Sequence, residues 1–255
     1  MVVALAAVLG LIFGSFATAV AYRVPRRETI VSGRSRCPNC GRTITAVENI
    51  PVVSFLVLRG RCRECGRPIS ARYPLIELAV ATLFALSAWE FGLTLEAVLY
   101  SAFAWVLVVL SVIDLEYRLL PNRIVYPSFV VAWAGLVVAA FVRHRTEYLV
   151  DAGIGALVFG GFFFVIAFLF PAGMGGGDVK LSFVLGTMLG YLGIGIVVTG
   201  MFLSFFLGAI SGIGLMAVKR GGRKTMLPFG PFLALGSLIA VFAGGPIVEA
   251  YLGTL

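Results

Sequence analysis

Long stretches without charge divide this sequence, and each is about as long as a membrane-crossing helix. Residues 1–22 contain no Asp, Glu, Lys or Arg, and comparable apolar stretches recur along the chain. About 20 consecutive apolar residues allow an α-helix to cross the hydrocarbon core of a bilayer, where a helix satisfies its own backbone hydrogen bonds. Hydrophobic residues make up 60% of the chain, against about 45–50% in soluble globular domains. The sequence therefore predicts an all-α polytopic membrane protein and excludes an ordinary soluble domain.

The apolar stretches predict about eight transmembrane helices. Residues 181–218 are 38 positions without a charged side chain, which is too long for one span but enough for two of about 19 residues. The other spans are expected near residues 1–22, 74–89, 97–113, 124–142, 153–170 and 228–251. We therefore divide the chain into a first span at 1–22, a polar segment at 23–73 and a seven-helix membrane domain at 74–255.

The basic residues predict how the spans are oriented. Eleven of the twenty Lys and Arg residues lie from Arg23 to Arg72, and basic segments beside spans remain in the cytoplasm. With eight spans, both termini are then outside. No basic region precedes the first span and no small-residue cleavage site precedes Arg23, so we expect a retained span rather than a signal peptide. The net charge of +8 is attributed to topology and anionic lipid, not to nucleic-acid binding.

All four cysteines lie in the polar segment at 23–73, in two Cys-x-x-Cys pairs separated by 21 residues. Two such pairs can direct four thiolates at one tetrahedral zinc ion. The alternatives are two disulfides or a thioredoxin-like redox pair, but a cytoplasmic location disfavours stable disulfides and no βαβ pattern surrounds either pair. The sequence predicts a small zinc-ribbon-like cytoplasmic domain, partly stabilised by its metal. The predicted zinc ligands are Cys37, Cys40, Cys62 and Cys65.

Two carboxylates mark the candidate reaction centre. Asp114 ends the third predicted span, and Asp178 follows the glycine-rich run 173–177 after the fifth. Both spans run from outside to inside, so both residues are expected at the cytoplasmic edge of the membrane. An ionisable residue in such a position is by default a candidate functional residue. Two adjacent carboxylates share a proton and can activate a water molecule, so the pair predicts an aspartyl protease site.

Each of these residues also has a simpler interpretation. Asp114 at a helix end beside arginines is compatible with an ion pair alone. The run 173–177 is compatible with a flexible turn, and it lacks the Gly-Lys-Ser/Thr ending of a phosphate-binding loop. Lys180 can steady an anionic group or extend to the lipid headgroups. Glu77 can be a charge favoured by a helix N-terminus, and His144 is expected outside, away from the aspartates.

Several of these segments together resemble the type IV prepilin peptidases, bacterial inner-membrane aspartyl proteases with a Gly-x-Gly-Asp motif. No single segment is decisive, but their order and spacing match the family over most of the chain. The matching segments are 14–16 through 22–25, the two cysteine pairs, 48–55, 72–77, Asp114 with 120–122, 174–181 and 228–233.

The resemblance implies cleavage of prepilins and pseudopilins at the cytoplasmic face, after the glycine that ends a basic leader. It implies that Asp114 and Asp178 are the catalytic pair, with Gly175, Gly177 and Lys180 in the catalytic-loop motif.

Relatives that carry the cysteine segment often also methylate the new N-terminal residue with S-adenosylmethionine. Many relatives have Asp where this chain has Glu48, a departure that keeps the charge. The chain lacks a glycine-rich dinucleotide-type motif that would mark a separate site for the methyl donor. From their positions in the matching segments 72–77 and 48–55, Glu77 and Glu48 are the candidate methyltransferase residues.

Two functions from other classes remain open at this point. In a proton-coupled transporter the aspartates would relay protons, which predicts carboxylates near the bilayer midplane and an inverted repeat. In a zinc-ribbon membrane adaptor without catalysis, Asp114→Asn and Asp178→Asn would leave function intact. The sequence places both aspartates at the membrane edge and shows no repeat, so it favours the protease.

Overall fold

The computed structural model describes residues 1–30, 34–171, 174–217 and 228–253, and within them the regular structure is helical. Two isolated β-bridges, Arg36–Thr43 and Arg61–Pro68, accompany the helices. Seven helices in the described part of the chain are long and apolar enough to cross a membrane, so the all-α polytopic fold class is confirmed. The helices are α1 (Val2–Arg23), α2 (Val53–Val57), α3 (Arg72–Phe91), α4 (Leu95–Tyr117), α5 (Asn122–Val142), α6 (Glu147–Leu169), α7 (Gly176–Gly190), α8 (Ile194–Ala217) and α9 (Gly230–Leu252), with a 3-10 turn at Val47–Asn49.

Helix α7 differs from the span expected at its position. It has 15 residues, which gives a length of about 22 Å, less than a bilayer core. Gly193, at φ +130, separates it from α8 in a conformation that favours glycine. Helices α5, α6, α8 and α9 all contact it, and ten of its residues from Val179 to Gly190 are buried. The apolar composition of this stretch therefore reflects burial in protein, which hydropathy alone does not distinguish from contact with lipid.

The chain divides into two compact units, Met1–Val109 and Leu110–Leu255. In the first unit α1 packs closely on α3. A Cβ atom on Gly10 would lie 2.5 Å from the Ala81 Cα, and one on Gly14 would lie 2.6 Å from the Glu77 Cα. Glycines at these two positions therefore allow the two helix backbones to approach each other, as is usual between membrane helices.

In the second unit the same principle joins α6 to α7. A Cβ atom on Gly186 would lie 2.2 Å from the Gly155 carbonyl oxygen, and one on Gly190 would lie 2.4 Å from the Asp151 carbonyl oxygen. Helix α8 packs along α9, where a Cβ on Gly236 would meet the Ser204 backbone nitrogen at 2.5 Å. These backbone contacts fix α7, and with it the start of the helix that carries Asp178.

Two stretches that bear on the site and the spans lie outside the described residues. One is Gly173, at the start of the glycine-rich run. The other is the basic stretch 219–224, directly after the two spans predicted at 181–218.

Candidate active site and metal centre

The second unit brings Asp114 and Asp178 together from different helices. Asp114 lies in the last turn of α4 and is 6% exposed. Helix α4 ends just beyond it, because Arg118 takes a left-handed φ of +51 and Pro121 follows. Asp178 is the third residue of α7. The two carboxyl groups interact electrostatically, so two residues 64 positions apart in the sequence form one acidic site.

The first turn of α9 completes the surroundings of Asp114. The backbone N–H of Gly230 donates a hydrogen bond to Asp114 Oδ2 at 3.1 Å. This N–H is one of the donors that a helix leaves unpaired at its N-terminus, where the helix dipole also favours negative charge. Among the described residues no arginine pairs with Asp114, so the simple ion-pair interpretation is not what the structure shows. From the sequence, Gly230 was part of the matching segment 228–233 and had no predicted role.

Leu120 connects the two aspartate-bearing elements. Its side chain would lie 2.9 Å from a Cβ on Gly177 and 3.4 Å from a Cβ on Gly230. It therefore packs between the start of α7, beside Asp178, and the start of α9, beside Asp114. No sequence pattern predicts this contact, because a single leucine after a span is common.

The geometry gives a steric reason for the spacing Gly175-x-Gly177-Asp178. A Cβ on Gly175 would lie 3.1 Å from Asp178 Oδ2, and one on Gly177 would collide with Leu120, whereas one on Gly176 would meet nothing within 4 Å. Asp178 Oδ1 is buried and has no hydrogen-bond partner among the described residues. An unpaired buried carboxylate oxygen is costly. The site therefore has an open hydrogen-bonding position suited to a water molecule or a substrate group.

Lys180 lies beside this site and contacts α5. Its ammonium group donates a hydrogen bond to Asn122 Oδ1 at 3.1 Å, and it lies 5.3 Å from the centre of the Tyr126 ring. Both partners are in the first two turns of α5, directly after the Leu120 turn. Lys180 thus ties α7 to the start of α5, directly after Leu120, the residue that packs between Gly177 and Gly230.

In the first unit the four cysteine thiols gather into one cluster, with the Sγ atoms all within 4.8 Å of one another. The two pairs form matching turns: the Cys37 N–H donates to the Arg42 carbonyl at 2.9 Å, and the Cys62 N–H donates to the Arg67 carbonyl at 2.8 Å. The Cys37 and Cys65 sulfurs are 3.9 Å apart, close to the about 3.8 Å expected of thiolates 2.3 Å from one zinc in tetrahedral geometry.

The thiols of the cysteine cluster differ in acidity. Backbone N–H groups of Cys40 and Asn39 lower the pKa of the Cys37 thiol to about 6, and thiolates rather than thiols bind metal. Against the lowering effect of the Arg42 N–H, removal from water and the neighbouring thiols raise the pKa of the Cys40 thiol to about 11, so Cys37 supplies the first thiolate and a bound cation would favour the others. All four thiols are free, so the cluster shows neither of the two disulfides considered as an alternative.

Glu48 links the two halves of the cysteine cluster. Its carboxylate accepts hydrogen bonds from Arg42 Nη2 at 3.0 Å and from the Thr45 N–H at 3.1 Å, and its Oε1 lies 3.7 Å from Arg63 Nη1. Arg42 follows the first cysteine pair, whereas Arg63 lies inside the second. Hydrogen bonds hold the pKa of Glu48 below its usual range. The largest effect comes from the Thr45 backbone N–H, and smaller ones come from the Thr45 hydroxyl and Arg42. In this structure the Glu48 carboxylate is engaged with its own segment.

Glu77 is also engaged, at a different place. It lies on α3, is 8% exposed, and its Oε2 accepts a 2.7 Å hydrogen bond from the Val52 N–H. Helix α1 lies against the same residue, since a Cβ on Gly14 would lie 2.6 Å from the Glu77 Cα. Glu77 therefore connects the polar segment to two membrane helices.

A cleft of about 500 Å³ opens near Glu48 in the polar segment. This volume lies within the range of about 300–1,000 Å³ typical of small-molecule sites. Its lining mixes one cation, polar groups and apolar side chains, namely Arg34, Ser35, Ile44, Thr45, Ala46 and Asn49.

Two models of known protein families match consecutive parts of the chain. Residues 8–91 match the model of the bacterial peptidase A24 N-terminal domain, and residues 101–213 match that of the type IV leader peptidase family. No solved structure matches the chain.

Curated relatives match over nearly the whole length. A Pseudomonas putida protein is 37% identical, with 96% of this chain and 92% of the relative covered. A Bacillus subtilis protein is 34% identical, with 96% of each covered, and a Pseudomonas aeruginosa protein is 36% identical, with 96% of this chain and 91% of the relative covered. All three are named prepilin leader peptidase/N-methyltransferase. The chain therefore belongs to the type IV leader peptidase family.

Proposed function

We propose that this protein is a membrane-embedded aspartyl endopeptidase that removes the basic leader of type IV prepilins and pseudopilins, cleaving after a glycine. The observation that carries the proposal is the pair formed by Asp114 and Asp178. These two carboxyl groups interact electrostatically, and one oxygen of Asp178 is buried without a partner among the described residues. The leader-peptidase names of the relatives support the same substrate class.

The chemistry follows from placing two acids around one water molecule. Two neighbouring carboxyl groups removed from bulk water do not both ionise readily, so the pair is expected to hold one shared proton. The ionised member takes a proton from the water, whose oxygen attacks the scissile carbonyl carbon, while the protonated member polarises the carbonyl oxygen. Collapse of the tetrahedral intermediate breaks the C–N bond, and the leaving amine takes up a proton. The Gly230 N–H orients Asp114 during these steps.

The glycines before Asp178 give an extended substrate access to this pair. Because Gly175 has no side chain beside Asp178 Oδ2, a substrate backbone can approach the carboxylate closely. We place the site at the cytoplasmic face of the bacterial inner membrane, with both termini outside. A prepilin would lie with its apolar helix in the bilayer and its basic leader in the cytoplasm, so the membrane itself orients the scissile bond.

The transporter and adaptor hypotheses make different predictions from the protease hypothesis. The test is cleavage of a purified prepilin by the enzyme in detergent. Asp178→Asn and Asp114→Asn keep the size of the side chain but remove the acid. We expect each to lower the cleavage rate by at least about 10²–10⁴-fold, the usual contribution of a general acid or base. Cleavage at the wild-type rate by either variant would refute the proposed dyad.

We also propose a structural zinc ion in the cysteine cluster. Four cysteine ligands in two Cys-x-x-Cys turns fit a closed tetrahedral site with no open position for a substrate. The ion would stabilise a segment that has few buried apolar side chains of its own.

The second proposed activity is N-methylation of the residue exposed by cleavage, with S-adenosylmethionine as the donor. When bound, this donor supplies an electrophilic methyl group, and the new N-terminal amine forms the N–C bond, loses a proton and leaves S-adenosylhomocysteine. The cleft near Glu48 supports a donor site, because Arg34 can pair with the carboxylate of the donor and Asn49 can bind its polar groups. Glu48 and Glu77 are proposed to hold this segment in place.

Mass spectrometry of the cleaved pilin, with and without the methyl donor, tests this second activity. We expect one added methyl group at the new N-terminus. Arg34→Ala and Asn49→Ala should lower methylation and leave cleavage unchanged. Normal methylation by both variants would exclude the cleft as the donor site, whereas absence of methylation by the wild-type enzyme would exclude the activity.

A further inference from the structure

The polar segment at 23–73 contains one apolar run, which is unexpected in a segment that faces water. Residues 50–58 are nine positions without a charged side chain, and they form the turn before α2, the helix itself and the residue after it. Val53, Leu56 and Val57 are 51%, 67% and 74% exposed. Their i, i+3, i+4 spacing puts them on one face of α2. We call these three residues the α2 face.

The hydrogen bond to Glu77 fixes the level of this face along the membrane helices. The Val52 N–H, directly before α2, donates to Glu77 Oε2 at 2.7 Å. Glu77 is the sixth residue of α3, about 7.5 Å along the helix axis from Arg72. Gly14, whose added Cβ would lie 2.6 Å from the Glu77 Cα, is nine residues before the end of α1 at Arg23, about 13.5 Å along that helix. Helix α2 therefore begins level with inner turns of two membrane-crossing helices.

The backbone at this point is strained in a way that makes the chain reverse. Val52 has φ +60 and ψ −48, and the Val53 N–H bonds to the Pro51 carbonyl, which together describe a γ-turn of the rare type. A β-branched residue seldom adopts this conformation, and such strain persists only where the surroundings hold it in place. Glu77 supplies that restraint, so the segment reaches the helices, turns and leaves again as α2.

The charges around α2 identify what covers its apolar face. The residues after α2 include exposed arginines, with Arg59, Arg61 and Arg67 on the surface, whereas Arg63 lies 3.7 Å from the Glu48 carboxylate. An apolar helix face flanked by exposed arginines is typical of a segment lying in the membrane interface, where the side chains enter the acyl boundary and the cations meet anionic headgroups. We propose that the α2 face is a lipid-binding surface inserted in the bilayer interface and anchored by Glu77. This inference is independent of the proposed chemistry.

Photo-crosslinking of the full-length chain in lipid nanodiscs containing phosphatidylglycerol tests the proposal. The photoreactive residue p-benzoylphenylalanine replaces Leu56, with replacement of Arg63 as the control in the cysteine pair and of the exposed α3 residue Leu75 as the positive control. We expect phospholipid adducts, detected by intact mass, at positions 56 and 75 and none at position 63. Zinc content and prepilin cleavage report whether each labelled chain is folded.

Three results would overturn the inference. The first is a lipid adduct at position 56 no more abundant than that at position 63, while position 75 reacts. The second is an adduct to a second copy of the chain in place of lipid. The third is an adduct that forms only with added prepilin and joins position 56 to it, which would make α2 a substrate-docking surface.

Variants of Glu77 test the anchor separately. Glu77→Gln keeps an oxygen that accepts the Val52 N–H and should retain the lipid adduct at position 56. Glu77→Ala loses the acceptor, so the adduct yield should fall while zinc content is retained. An unchanged yield in Glu77→Ala would overturn the anchoring role.

Discussion

The contact between Gly177 and Leu120 permits a sharp test of how the acidic pair is assembled. In Gly177→Ala the new Cβ would lie 2.9 Å from Leu120 Cβ, whereas unstrained carbon atoms lie about 3.5–4.0 Å apart. The two elements must therefore separate by about 0.6–1 Å to restore ordinary contact. Leu120 also packs against Gly230, which holds Asp114, so the displacement reaches both aspartates.

A shift of this size has a calculable cost. A misplacement of about 1 Å in a reacting geometry lowers the rate about 100-fold, which corresponds to about 2.7 kcal/mol of transition-state stabilisation. Stability should change much less, because replacing glycine in a helix gains up to about 1 kcal/mol and offsets part of the contact. We therefore expect Gly177→Ala to lower kcat/KM for prepilin cleavage about 100-fold with little change in Tm.

Gly176→Ala is the matched control, one residue away in the same helical turn and with nothing within 4 Å of its Cβ position. It should cleave prepilin at nearly the wild-type rate. Initial rates with purified enzyme in detergent, together with thermal unfolding, measure both effects. The steric reasoning fails if Gly177→Ala stays within about twofold of wild type, a cost of only about 0.4 kcal/mol, or if Gly176→Ala is equally impaired.

Three further predictions concern the elements that support the two centres. Lys180→Met should lower kcat/KM about 10–150-fold, because a hydrogen bond from a charged donor contributes about 1.5–3 kcal/mol. Asn122→Ala should give a similar loss, and the double variant should be no worse than either. Additive losses would show that the two side chains act separately. Gly186→Ala should destabilise the second unit by about 1–3 kcal/mol, since its Cβ would lie 2.2 Å from a backbone oxygen, while Gly161→Ala, with nothing within 4 Å, should not; equal Tm values for the two variants would contradict the α6–α7 contact. Cys40→Ser should reduce bound zinc from about one ion per chain and expose the segment to proteolysis, as measured by metal analysis and limited digestion; a full zinc complement in that variant would refute the four-cysteine site.

Sequence and structure contributed differently to the two centres. The cysteine cluster was predictable, because a closed zinc site needs four ligands and a Cys-x-x-Cys turn supplies two of them locally. The aspartates were predictable as a pair only through topology, since hydropathy indicates where each span ends and parity indicates on which side. The roles of Gly230 and Leu120 were not predictable in either way, because they depend on contacts with residues far away in the sequence. The same is true of Lys180, whose partner Asn122 is 58 positions away.

The sequence by itself determined the membrane class, the approximate spans and the identity of the ionisable residues. A helix that crosses a bilayer needs a minimum apolar length, and this requirement is visible in the sequence as a run of consecutive apolar residues. Only the tertiary structure decided that α7 is a short helix buried in protein, that the Glu77 carboxylate holds Val52, and that Glu48 joins the two cysteine pairs. The physical reason is that helix packing within a membrane depends on where glycines let backbones approach. The hydropathy of a segment does not indicate which of its glycines lie at such contacts.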